Sequence, residues 1–171
     1  MPTDQWWNFF YLCGSASVTL TGLTFVAVTL GSTLIKKDNL DQVNIFISPI
    51  CFHFLHVFFL CCMTAVPSAN PKLLAAATIL SAIWRLTKMP KTYSVVHTQA
   101  KKDGADIDLS DWVIIVFLPT AVYLALITSG IGFWWGKPWA VDVLAISCLV
   151  LLLSSAKGAW DMVIWVAATL R

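Results

Sequence analysis

The chain has 171 residues, of which 58% are hydrophobic and 12% charged, with a formal net charge of +2. A mean hydropathy of +0.79 lies far from that of a soluble domain. So small a charge, with no basic patch interleaved with aromatics, excludes a nucleic-acid surface.

This length suits one unit, and residues 1–171 are expected to form a single transmembrane domain, all α-helical. Glutamate is absent, and the five cysteines (Cys13, Cys51, Cys61, Cys62 and Cys148) all lie in apolar runs. Their spacing matches no zinc or disulfide framework, so they read as small apolar packing residues.

Span 1 covers about 9–35 and carries no charge. As a helix it reaches roughly 40 Å at about 1.5 Å per residue, more than a hydrocarbon core of roughly 30 Å. The segment before it holds Asp4 and no basic residue, and the apolar run is longer than a signal core, so a cleaved leader is not expected. Trp6 and Trp7 sit where an interfacial aromatic belt would begin. Span 1 is also rich in small and hydroxyl residues: Ser15, Ser17, Thr19, Thr21, Gly22, Thr24 and Thr29.

Lys36 to Gln42 form a short loop, and span 2 follows at 43–66 with Pro49 inside it. Pro67 to Pro71 make a turn. Span 3, at 72–89, is short and flanked by Lys72, Arg85 and Lys88, whose long stems are expected to snorkel toward headgroups. A polar loop runs from Pro90 to Ser110. Span 4 covers 112–135, Gly136 to Pro138 make a tight turn, and span 5 covers 139–156. Residues 157–171 are expected to form an amphipathic tail.

Five crossings place the termini on opposite sides. Lys36, Lys37, Arg85, Lys88, Lys91, Lys101, Lys102, Lys157 and Arg171 then share one side, against only Lys72 and Lys137 on the other. Basic residues favour the cytoplasmic side, so the N-terminus is expected outside and the C-terminus in the cytoplasm. No inverted repeat of the transporter kind is evident, and the runs are too long and continuous for barrel strands.

The pattern W-x-x-F-F at Trp6, Phe9 and Phe10 continues with G-x-A at Gly14 and Ala16. L-T-G-L-x-F-V-A-V then runs from Leu20 to Val28. Together these resemble the first helix of a broad group of small bacterial inner-membrane proteins. The resemblance covers the first quarter of the chain. It implies a multi-pass protein of the bacterial inner (plasma) membrane and brings no mechanism with it.

Ser17, Thr21, Thr24 and Val28 share one helical face, and Ser15, Thr19, Gly22 and Thr29 a second. The first face could line a pore around an axis shared by several copies, its hydroxyls replacing part of an ion's hydration shell. Lys36 and Lys37 would then ring the inner mouth. The same residues equally suit close helix packing, each hydroxyl bonded to its own preceding carbonyl.

His53 and His56 lie on one face near the middle of span 2, where ionisable groups are costly. They suit a pH-sensitive gate, a metal site or a haem ligand, or simply two neutral rings bonded to a span 1 hydroxyl or to a carbonyl freed by Pro49. The third histidine, His97, lies in the polar loop and does not complete a pair across the membrane. Asp103, Asp106, Asp108 and Asp111 could hold a divalent cation, or cap span 4 and complement its dipole. Lys157 and Asp161, four apart, suit a surface pair.

No carboxylate falls mid-span, and no nucleophile elbow, zinc-protease helix or phosphate loop appears. The expectation is therefore a homo-oligomeric ion channel, anion-permeable or weakly selective, with no enzymatic activity and no resident cofactor. Its partners would be the lipid bilayer and further copies of itself. The alternatives are a non-conducting interaction subunit and a metal or haem protein using His53 and His56.

Overall fold

The computed structural model describes residues 6–32, 40–66, 70–89 and 117–169. These form five helices and no strand: α1 Trp7–Ser32, α2 Leu40–Ala65, α3 Pro71–Leu86, α4 Leu118–Trp134 and α5 Trp139–Thr169. They correspond one to one with the five expected spans. Lys36, Lys37, His97, the aspartates at 103–111 and the start of span 4 lie outside the described residues.

The tail from residue 157 continues the last span as helix, because α5 runs unbroken for 31 residues. The run LVLLLSSAKGAWDMVIWVAA contains no proline, and its one glycine does not stop it. Span 3 is a helix of 16 residues, roughly 24 Å long, and stops before residue 89.

Helix ends follow their local chemistry. Asn70 caps α3, its side chain accepting from the Lys72 amide at 3.0 Å, with Pro71 in the first turn. Between α4 and α5 the chain turns at Gly136, which has a φ of 66°. There the Lys137 amide donates to the Gly132 carbonyl at 2.9 Å and the Gly136 amide to Phe133 at 3.1 Å. That pair of bonds closes a helix with a left-handed residue that glycine adopts without strain.

Consecutive helices run antiparallel. Gly14 near the start of α1 faces Cys61 near the end of α2, and Gly158 late in α5 faces Ile50 early in the described part of α2. The centre of the bundle is α5, which packs on α4, α2 and α1, while α3 packs chiefly on α4. Of the apolar stretch of α5, 50% is buried, against 22% for α1. Its buried stripe is Val141, Leu144, Ala145, Cys148, Leu151 and Ser155, at the spacing of one helix face. Opposite stand Phe54, Val57 and Leu60 of α2 and Tyr123 and Leu126 of α4, all fully buried.

Two helical segments, Trp7–Thr29 and Trp139–Asp161, are long and apolar enough to cross a membrane. The outer surface is itself apolar: Tyr11, Leu12, Phe25, Leu80, Ile146 and Leu153 are all at least 60% exposed. Water penalises so broad an apolar face.

Glycine decides how closely α3 and α4 approach. A Cβ on Gly130 would stand 2.5 Å from Ile79 Cγ1 and 3.1 Å from the Ala75 carbonyl oxygen, whereas one on Gly22 meets nothing within 4 Å. Gly130→Val is therefore expected to lower stability by about 1–3 kcal/mol through overpacking. Gly22→Ala is expected to leave it unchanged or raise it by up to about 1 kcal/mol through helix propensity. Thermal melting of the purified variants in detergent checks both.

Candidate functional site

Two sets of described polar side chains contrast with each other. In α1 five hydroxyls turn back on their own helix. Ser17 donates to the Gly14 carbonyl at 2.8 Å, Thr19 to Ser15 at 2.9 Å, Thr21 to Ser17 at 2.8 Å, Thr24 to Leu20 at 2.7 Å and Thr29 to Phe25 at 2.9 Å.

Of the face expected to line a pore, Ser17 and Thr24 are buried, and Thr21 and Val28 are half-buried. This face continues the stripe Phe10, Cys13, Ser17 and is turned into the chain's own bundle. The second small face, Ser15, Thr19, Gly22 and Thr29, is exposed.

The other group gathers side chains from four helices. His53 and His56 come from α2, Ser81 and Arg85 from α3, Tyr123 from α4 and Ser155 from α5. Helix register puts them there. Ala75, Thr78, Ala82 and Arg85 are all buried on one face of α3, spaced three or four apart. The close approach at Gly130 fixes the rotation of α3, so that Arg85, ten residues further along this face, points inward. It is only 8% exposed. The expectation that Arg85 snorkels outward is overturned, whereas Lys88 is exposed, 5.9 Å from the Trp84 ring.

The histidine hydrogens can be assigned from their partners. Ser81 Oγ donates to the Thr78 carbonyl at 3.1 Å. Its one hydrogen is thus used, and His56 Nε2, 3.1 Å away, must donate to it. His56 Nδ1 is then a bare lone pair. Ser155 Oγ lies 3.2 Å from His53 Nδ1. With no bond from this hydroxyl to a preceding carbonyl, its hydrogen serves Nδ1, which puts the ring hydrogen of His53 on Nε2. The Tyr123 ring stacks on His56 with centroids 5.4 Å apart at 26°, and lies 6.0 Å from His53. The Arg85 guanidinium sits 4.7 Å from the Phe52 ring, within electrostatic reach of both histidines and of Tyr123.

Among the described residues, four buried side-chain polar atoms lack a hydrogen-bond partner: His53 Nε2, His56 Nδ1, Arg85 Nε and Tyr123 Oη. All four belong to this one cluster. Arg85 Nε and His53 Nε2 each carry a hydrogen to give, His56 Nδ1 a lone pair, and Tyr123 Oη both. Taking a guanidinium largely out of water costs several kcal/mol, one cation–π contact returns only about 2 kcal/mol, and the Tyr123 hydroxyl adds one neutral hydrogen-bonding neighbour. No described carboxylate makes up the rest. Asp161 pairs with Lys157 at 3.3 Å on the surface, and the exposed Asp142 lies in the first turn of α5, toward the other end of the bundle.

Sequence reasoning placed His53 and His56 together, and the structure does the same, each ring bonded to a serine of a different helix. It missed Arg85, Tyr123, Ser81 and Ser155. The available signal was periodic: Thr78, Ser81 and Arg85 recur with Ala75 and Ala82 at helical spacing. As to a metal, no group of three His, Cys or Asp side chains is placed to hold one among the described residues. Cys148 lies within thiol hydrogen-bond reach of Cys61, with Cys13 beside them. The described cysteines are all free thiols, and these three pack at the junction of α1, α2 and α5.

Ser81→Ala would strand the His56 Nε2 hydrogen, and Ser155→Ala would strand His53 Nδ1. Each is expected to cost about 1–3 kcal/mol. Thr19→Ala, which removes only an exposed hydroxyl bonded to its own helix, should stay within about 0.5 kcal/mol of the parent. Denaturation midpoints of the three variants test this ranking.

Comparison with protein-family models, with curated proteins and with solved structures finds no match to this chain.

Proposed function

We propose that the chain is a multi-pass protein of the bacterial inner membrane, N-terminus outside and C-terminus cytoplasmic, that assembles as a homo-oligomer and conducts small ions, anions in preference to cations. One observation carries the ionic part: Arg85, a buried fixed cation with no described carboxylate against it, amid three further unpartnered polar atoms. A charge kept inside a membrane bundle marks an ion pathway by default, and a cation without a counter-charge repels cations and attracts anions.

The membrane setting is supported by the two long apolar helices and by the exposed apolar belt. Tryptophans add to it. Trp134, Trp135 and Trp139 are all exposed where α4 meets α5, at the end where α1 begins, as an interfacial girdle would be. Lys72 lies 6.0 Å from the Trp134 ring at that end.

The path runs past the cluster in this reading. The face Ser17, Thr21, Thr24 and Val28 packs within each copy, and the exposed Ser15, Thr19, Gly22 and Thr29 face remains for contact between copies. That exposed face also favours a second reading, a non-conducting subunit that docks another membrane protein through small residues.

Anion efflux from liposomes reconstituted with the purified protein tests the proposal. Flux above that of empty liposomes is expected, falling at least about tenfold, or 1.4 kcal/mol, in Arg85→Gln. Thr19→Leu is expected to weaken self-association in detergent. Flux no greater than in empty liposomes leaves the docking reading.

A further inference from the structure

We infer that the cluster of Arg85, His53, His56 and Tyr123 is a binding site for a small monovalent anion held within each chain. The inference deepens the proposed function and rests on it for the pathway, but the site can be tested without any flux.

The donor inventory argues for an anion. Arg85 brings a charge that is not lost at any ordinary pH, and its Nε hydrogen has no acceptor. Tyr123 Oη and His53 Nε2 bring two further hydrogens without acceptors, from two other helices. Three donors and a fixed positive charge stand against two acceptors, His56 Nδ1 and the Tyr123 hydroxyl oxygen. A cation would meet the repulsion of the guanidinium. A neutral ligand would leave the guanidinium uncompensated. An anion accepts from the three donors and neutralises the charge, and charge-assisted bonds of this kind are the stronger ones. All four side chains are at least 92% buried, since the most exposed of them, Arg85, is 8% exposed. The occupant must therefore be small and shed most of its water, which disfavours divalent anions.

Arg85 lies one residue before the end of α3, its guanidinium over the Phe52 ring near the middle of α2. The anion would enter from that end of α3, the cytoplasmic one in the proposed topology.

The test uses the full chain in detergent, melted in sodium gluconate and in mixtures with chloride, nitrate, formate or sulfate at constant ionic strength. A saturable rise in melting temperature with the small monovalent anions, half-complete at millimolar concentration, is expected, and none with sulfate. Arg85→Gln should abolish the response and Arg85→Lys weaken it. Tyr123→Phe removes one donor and a hydroxyl whose recorded neighbour is Arg85 itself, so it should fold and bind about tenfold more weakly. It keeps the test open should Arg85→Gln fail to fold. Identical melting in all salts, or an undiminished response in both Arg85→Gln and Tyr123→Phe, overturns the inference. A response that depends on Arg85 and Tyr123, without flux in liposomes, leaves the site standing and removes only the conduction reading.

Discussion

A positive charge held inside an apolar bundle is the constraint on which the rest of the structure turns. Arg85 cannot lose its proton, and in the described structure it meets the Phe52 ring and the Tyr123 hydroxyl rather than a carboxylate. Burial of an unpaired ion is among the costliest arrangements a fold can hold. It persists here because the surrounding packing leaves the side chain no other direction. Small residues on α3 and Gly130 on α4 bring those helices into close contact, and that contact sets the rotation of α3. Packing one end of the helix thus determines the electrostatics of the other.

The two histidines then have different surroundings although they stand on one helix. His56 is pinned by a serine whose hydrogen is already committed to its own helix, so its tautomer is decided by a neighbour's backbone. His53 is pinned by a serine with its hydrogen to spare, on the far side of the bundle. Rings set in this way keep their orientation without a metal, and the Tyr123 ring lies against both. The cluster ties α2, α3, α4 and α5 together through side chains. It matters most between α2 and α3, whose backbones otherwise approach each other little.

Among the described residues the helices and their order were legible in the sequence because each depends on local quantities: apolar run length, and proline and glycine at the turns. The pairing of His53 with His56 was legible for the same reason, since three residues along a helix is a local distance. Arg85 was not. Near the end of a short apolar segment, outward snorkelling and inward burial fit the same sequence. What separates them is the rotation of the helix against a partner some 45 residues away in the chain. Tyr123 and Ser155 were hidden for a related reason. Each is ordinary in its own helix and acquires meaning only beside side chains from the others. The loop aspartates and Lys36 and Lys37 belong to segments outside the described residues.

The hydroxyls of α1 show the converse. They made the most conspicuous pattern in the chain, yet Ser17, Thr19, Thr21, Thr24 and Thr29 each bond the carbonyl three or four residues before them. A hydroxyl so engaged has given up its hydrogen and keeps only lone pairs, which suits a packing surface more than a wall for anions. The cluster has the opposite character: few residues, spread over the chain, with hydrogens still to give. A polar pattern dense in sequence can thus be chemically quiet, while a sparse one assembled by the fold carries the unspent donors. The proposed preference for anions rests on those donors and on the guanidinium beside them, and α1 is left to provide surface.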